Sequence, residues 1–212
     1  KSPSKRKQRL YSNLMQVPYL RMHGTGNLIL VVDQRSTNLA PPTAGVIRKL
    51  ADAASGPGFD QMLWLSPPAM SLSVASYRIF NADGSEAEQC GNGALCLARY
   101  LAGKHEHEQE FILQSPVGPV TARVCPDGTV TVSMGVPEFA AHGSAGGNMI
   151  RVGDKNIEVS VLSLGNPHCV LLVDDVRVAP VDRLGPQIEH HERFPQGTNV
   201  GFMHIRDRQN ID

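Results

Sequence analysis

At 212 residues the chain is long enough to bury a substantial core, as one large domain or two small ones. Its 20 basic and 20 acidic residues cancel, so no global charge points to nucleic acid or an acidic partner. No apolar run approaches bilayer length. The four cysteines are irregularly spaced and include no Cys-x-x-Cys pair, which excludes a secreted disulfide framework and a structural zinc site and suits a reducing, cytoplasmic compartment.

Lys1 to Gln16 opens with a basic cluster, Lys5-Arg6-Lys7 and Arg9, without the apolar core of a secretory signal. Residues 1–17 are expected to be a disordered basic extension. Tyr19 to Met22 reads as extended, His23-Gly24-Thr25-Gly26-Asn27 as a loop, and Leu28 to Val32 as a strand covered on both faces. Thr43 to Ala54 has helical spacing with Thr43 as N-cap, and Gly56-Pro57-Gly58 breaks it. Met62 to Leu65 and Leu72 to Phe80 are predicted strands. A polar loop then leads to Cys90 and to a helix carrying Ala94, Leu95, Leu97, Ala98, Tyr100 and Leu101. Phe111 to Gln114, Val117 to Val124 and Thr129 to Met134 alternate as strands, with a hairpin turn at Pro126-Asp127-Gly128. Ala140 to Gly147 is small and polar and reads as the crossing between an N-terminal lobe, 18–138, and a C-terminal lobe, 148–212. In the second lobe Ile157 to Leu164, Cys169 to Val173 and Val200 to Ile205 read as strands, and Asp182 to His190 as a short helix.

Cys90 holds the most informative position. A thiol where a helix begins meets amides that have no intrahelical partner, and their partial positive charge favours the thiolate. Gly91 and Gly93 leave the backbone open to a ligand, while Asn81 and Asn92 offer neutral donors and acceptors. The same local pattern also fits a buried structural cysteine in a turn. Cys96 and Cys169 fall at core spacing and are assigned to packing. His190-His191 and the His105/His107 pair lie in polar segments and read as solvated faces rather than metal ligands.

The two halves echo one another. Gly26-Asn27 precedes the apolar run ending at Asp33, and Gly165-Asn166 precedes Pro167-His168 and the run Cys169 to Val173. Gln61 follows the first Asn, and Asn199 the second, at nearly the same distance. Such a repeat implies two similar lobes with a cleft between them lined by amide side chains.

Six ordered motifs carry a family resemblance: Met22-His23-Gly24-Thr25-Gly26-Asn27; Gly58-Phe59-Asp60-Gln61; Tyr77-Arg78-Ile79-Phe80-Asn81-Ala82-Asp83-Gly84-Ser85-Glu86; Cys90-Gly91-Asn92-Gly93-Ala94; Gly165-Asn166-Pro167-His168-Cys169; and Gly197-Thr198-Asn199. With them the chain resembles the diaminopimelate epimerase family over roughly residues 18 to 205. The resemblance implies an α+β fold of two pseudo-symmetric lobes, each a mixed or antiparallel sheet wrapped around a central helix, with the active site in the cleft between them. It implies cofactor-free inversion at an amino-acid α-carbon, one cysteine taking the α-proton and a second returning a proton to the opposite face, with diaminopimelate as the small-molecule substrate. Neither pyridoxal phosphate nor a metal is expected, and neither a nucleic-acid nor a membrane partner; a homodimer is an expectation of the same kind. By resemblance Cys90 is one of the two thiols. Asn27, Gln61, Asn81, Asn166 and Asn199 bind substrate, the amides of Gly91 and Asn92 receive its α-carboxylate, and His168 orients the α-amino side.

Leu28-Ile29 and Leu95 depart from the family pattern, where an acidic residue with an aromatic, and an arginine, are usual. The family's Glu-Arg-Gly and second Cys-Gly-Thr-Gly segments do not occur in the sequence; they are expected beyond Asp212, and the 212-residue chain is expected to be inactive alone. A related isomerase acting on another amino or hydroxy acid, and a binding-only relative, remain open alternatives.

Overall fold

The computed structural model describes residues 8–12, 15–37, 39–103, 109–139 and 149–212. The His105/His107 pair, Lys1 to Lys7 and the proposed crossing at Ala140 to Gly147 lie outside the described residues. The chain divides into two compact units, Lys1–Met134 and Gly135–Asp212.

The first unit is a nine-stranded mixed sheet with a helix on each face. Its elements are β1 (Gln8–Ser12), β2 (Met15–Gly24), β3 (Asn27–Asp33), α1 (Ala44–Ala51), β4 (Gln61–Ser66), β5 (Ser73–Asn81), β6 (Glu86–Ala87), α2 (Gly91–Ala102), β7 (Gln109–Ser115), β8 (Gly118–Val124) and β9 (Val130–Val132). The strands run in the order β1-β2-β3-β4-β5-β7-β8-β9, with β6 pairing to β5. β3 and β4 are parallel, as are β5 and β7; the other neighbours are antiparallel.

The continuous apolar runs behave as strands buried on both sides. Ile29, Val31, Leu63, Leu65, Ala75, Tyr77 and Ile79 face α2, meeting Ala94, Leu97 and Ala98. The alternate positions Leu30, Val32, Met62, Trp64 and Phe80 meet Ile47 of α1 and Phe59. Period-two alternation thus divides each run between two cores.

Three expectations need correction here. Gln8 onward is not an extension: β1 pairs antiparallel with β2, Gln8 opposite Tyr19 and Ser12 opposite Met15, so backbone pairing carries the sheet edge into the segment. Thr43 stands at the N-cap of α1 but makes no side-chain cap bond; its carbonyl accepts from Val46 and Ile47 instead. The helix also stops at Ala51, because the chain turns back so that Gly58 N–H reaches the Leu50 carbonyl and Phe59 N–H the Ala51 carbonyl.

The second unit holds β10 (Glu138–Phe139), β11 (Met149–Val152), β12 (Lys155–Glu158), β13 (Ser160–Ser163), β14 (Pro167–Leu172), α3 (Val181–Glu189) and β15 (Asn199–Met203). A four-stranded sheet runs β10-β13-β14-β15, and β11 pairs with β12 as a separate ribbon. Ile150, Val152, Val159, Cys169, Leu171, Ile188 and Phe194 form its core. The unit boundary falls before Glu138 rather than after it, because β10 pairs with β13. The single strand expected over Ile157 to Leu164 divides at Val159 into β12 and β13, which belong to different sheets.

The internal repeat is visible in register. In the first unit Ile29, two positions after Asn27, pairs in parallel with Gln61. In the second His168, two positions after Asn166, pairs in parallel with Asn199. Each unit thus contains the same device: an Asn loop, a strand, a helix-bearing crossover, and a parallel strand that begins with an amide side chain.

Candidate active site

Two groups of the predicted residues are brought together, one in each unit. In the first, Cys90 is the N-cap of α2, with φ −151° and ψ 100°. Its Sγ accepts the Gly93 N–H at 3.1 Å, and its thiol donates to Gln61 Oε1 at 2.7 Å. Gln61 Nε2 donates to Asn81 Oδ1 at 2.9 Å. Gln61 and Asn81 are cross-strand partners at the ends of β4 and β5, which is why a residue beside the first loop meets one that precedes the cysteine loop. Asn81 Nδ2 donates to Ser85 Oγ at 3.0 Å, and that hydroxyl donates to Asp83 Oδ1 at 2.6 Å.

Asp60 fastens three of the candidate side chains through their neighbours. Its carboxylate accepts the Leu28 N–H at 2.7 Å, its own N–H donates to the Leu28 carbonyl at 2.9 Å, and its carbonyl accepts the Ala82 N–H at 3.0 Å. Asn27, Gln61 and Asn81 are each one residue from these anchor points.

The Gly24–Asn27 hairpin turns through Thr25 at φ 45° and Gly26 at φ 100°. Positive φ at both central positions is the type I′ pattern of a two-residue hairpin, and it is strained for a β-branched residue. Thr25 Oγ1 donates to Asn92 Oδ1 at 2.5 Å, so Asn92 presents its amide nitrogen elsewhere. Thr25 and Asp60 were not among the sequence-predicted site residues. Their signal was membership of the motifs; their roles depend on contacts between segments far apart in the chain.

Electrostatics differ from the sequence expectation at the thiol. Burial pushes the Cys90 thiol up, and the Gly93 and Asn92 amides pull it back only in part. The helix terminus favours the thiolate as expected, but desolvation outweighs it. Gly93 also works differently: a Cβ there would sit 3.0 and 3.1 Å from the Leu63 methyls and 3.2 Å from Cys90 Sγ. Its missing side chain makes room for Leu63 and the sulfur rather than for a ligand. Tyr77, 3% exposed on β5, is held neutral above its ordinary range by burial and by the nearby Cys90. Ser115 acts on it as well, but its hydroxyl is not in hydrogen-bonding geometry with Tyr77.

In the second unit His168 Nε2 meets Asn166 Oδ1 at 2.9 Å, and Asn199 Nδ2 donates to the Pro167 carbonyl at 3.1 Å. Burial holds the His168 imidazole below its ordinary value of 6.5. Cys96 and Cys169 occupy the two cores at 4% and 0% exposure, and burial pushes each thiol up to about 11. His190 is exposed and His191 half-buried; the His191 Nδ1 accepts the Arg193 N–H, which leaves the Nε2 proton for the Arg151 carbonyl at 3.0 Å. No helix among the described residues is long and apolar enough to cross a membrane.

The fold is that of solved racemase and epimerase structures. A hydroxyproline epimerase from Agrobacterium vitis, solved with bound trans-4-hydroxy-L-proline, superposes with a TM-score of 0.65 over 91% of this chain and 68% of its own, at 17% identity. A probable proline racemase from Agrobacterium radiobacter gives 0.67 over the same shares at 16% identity. Sequence narrows the class. The diaminopimelate epimerase family profile matches residues 19–140 and 160–212. The chain is 42% identical to the diaminopimelate epimerase of Azotobacter vinelandii over 205 residues, 92% of this chain and 73% of that protein. It is 40% identical to that of Acinetobacter baumannii over 206 residues, 93% and 73% of the two chains. The chain belongs to the diaminopimelate epimerase family, a family of isomerases.

Proposed function

We propose that the protein to which this chain belongs interconverts LL- and meso-diaminopimelate by proton transfer between two thiols at the α-carbon, of which Cys90 is one, serving lysine and peptidoglycan precursor synthesis. The observation that carries the reading is Cys90 itself. It is a thiol at a helix N-terminus, partly buried, hydrogen-bonded to Gln61, and set among amides that neither donate nor remove protons at neutral pH.

An α-hydrogen beside a carboxylate is weakly acidic, so its removal needs a preorganised field in a water-poor site. Cys90 is one acid/base: as base, its sulfur forms an S–H bond while the α-carbon–hydrogen bond breaks, and an acid on the opposite face delivers a proton to the carbanion. As acid, Cys90 runs the same step in reverse. Asn27, Gln61, Asn81, Asn166 and Asn199 bind the amino and carboxylate groups, and the amides of Gly91 and Asn92 face the α-carboxylate. His168, held neutral by its surroundings, orients the amino side. Cys169 is a core residue and not a second acid/base. We place the reaction in the cytoplasm, in a homodimer.

The test is deuterium incorporation from solvent at the α-carbon of diaminopimelate, with Cys90→Ser beside the wild type. A fall of about 100-fold or more in the variant supports the reading. Exchange unaffected by the substitution, or a wild-type chain that neither exchanges nor binds diaminopimelate, overturns it.

A further inference from the structure

The hydrogen bonds that begin at Cys90 all point one way. The Cys90 thiol donates to Gln61 Oε1, Gln61 Nε2 to Asn81 Oδ1, Asn81 Nδ2 to Ser85 Oγ, and Ser85 Oγ to Asp83 Oδ1, over distances of 2.7, 2.9, 3.0 and 2.6 Å. The last acceptor is a carboxylate, which is acceptor-only when ionised. It therefore fixes the sense of every link before it. Ser85 must donate its one proton to Asp83, so it can only accept from Asn81. Asn81 must turn its nitrogen to Ser85, so its oxygen faces Gln61. Gln61 must turn its nitrogen to Asn81, so its oxygen faces the sulfur. The anchor is itself held: Asp83 Oδ1 also accepts the Ser85 N–H at 2.8 Å, and its carbonyl accepts from Arg48 Nη1 at 2.9 Å.

We propose that Asp83 and Ser85 are positioning residues that act through Asn81 and Gln61 to keep an acceptor on the Cys90 sulfur, so that Cys90 rests as the protonated thiol, the form that serves as acid in one direction of the reaction. A hydrogen bond accepted from the neutral form of a group disfavours its charged form. With the Gln61 oxygen on the sulfur, loss of the proton turns a bond into a repulsion between two lone-pair-bearing atoms. Free rotation of the Gln61 amide would present an N–H instead and favour the thiolate.

The chain thus offsets the Gly93 and Asn92 amides, which act in the opposite sense. Among the described residues, Tyr77 on β5 and Cys96 on α2 are the titratable groups whose charge couples to Cys90; burial keeps both neutral through the ordinary working range. At the far end, Arg48 of α1 faces Asp83 and, after the Ser85 hydrogen bonds, helps hold its carboxyl below the usual range.

The inference rests on Cys90 being an acid/base, but its test needs no substrate. The rate of iodoacetamide alkylation at Cys90 is followed by peptide mapping between pH 6.5 and 10 for the wild type, Ser85→Ala, Asp83→Ala and Ser85→Thr. Circular dichroism and Trp64 fluorescence check the fold; both substituted side chains are exposed.

Cutting the chain with Ser85→Ala or Asp83→Ala is expected to move the midpoint of the profile to lower pH. The rate near pH 7.5 should rise about fivefold, the weight of one net hydrogen bond, while the alkaline plateau stays where it was. Ser85→Thr keeps the hydroxyl and is expected to restore the wild-type profile. Midpoints that coincide with the wild type or move to higher pH, or a change confined to the plateau, would overturn the proposal. Absence of α-hydrogen exchange with diaminopimelate would leave the alkylation result standing and fall on the epimerase reading alone.

Discussion

Gly93→Ala is the sharpest probe of how α2 is seated. Alanine in place of glycine inside a helix contributes about 0.5–1 kcal/mol. Here the new methyl lies 3.0 and 3.1 Å from the two Leu63 methyls and 3.2 Å from Cys90 Sγ. Leu63 is completely buried, and overpacking such a site costs about 1–3 kcal/mol. The net expectation is a loss of about 1 kcal/mol. Leu63→Ala alone should cost about 3 kcal/mol by opening a cavity. In the double variant the alanine at 93 enters the space that the leucine vacates, so the expected loss is about 2 kcal/mol rather than the roughly 4 of additive effects. Urea unfolding followed by tryptophan fluorescence measures each corner of the cycle. Trp64, the sequence's single tryptophan, adjoins Leu63 on β4 and reports the first unit alone. Additivity within about 0.5 kcal/mol would refute the packing argument.

Three further outcomes are expected. Gly84 has φ +85° and lies where a Cβ would stand 2.6 Å from the Ala44 carbonyl oxygen; Gly84→Ala should lose about 3 kcal/mol, combining left-handed strain with a backbone clash, and an unchanged urea midpoint would refute that. Cys96 and Cys169 are raised from 9.0 to about 11, so the unfolded chain releases these protons first. Their contribution to stability is complete below about pH 9 and lost toward pH 11, and a urea midpoint flat across that window contradicts it. The His168 imidazole, depressed by burial, should titrate by NMR below its ordinary value; its contribution is present above that value and lost as pH falls, and a midpoint at or above 6.5 counts against the burial.

Much of this was legible in the residues. The run Leu28–Val32 announced a strand buried on both faces and Met62–Leu65 a strand, and the structure divides the alternate positions of both between α1 and α2. The repeated Gly-Asn loops announced two similar halves, and each half proves to contain one parallel pairing in matching register. What escaped depended on contacts between distant segments. Whether Cys90 is raised or lowered is a contest between burial and amides, and burial is set by Leu63, Tyr77 and the rest of the core. The break at Val159 was hidden because the neighbouring residues are equally strand-like; only the choice of sheet partner separates β12 from β13. Thr43 has the right chemistry for a cap, yet its side chain does not take the bond.

Every member of the directed chain, from Gln61 to Cys90, lies within Lys1–Met134, and that unit has its own pair of cores. Cys90 and its hydrogen-bond partners therefore need no residue of the second unit to be seated. On the proposed reading, the first unit by itself keeps this cysteine partly shielded and protonated, the form least open to oxidation, so its protection comes with the folding of one unit.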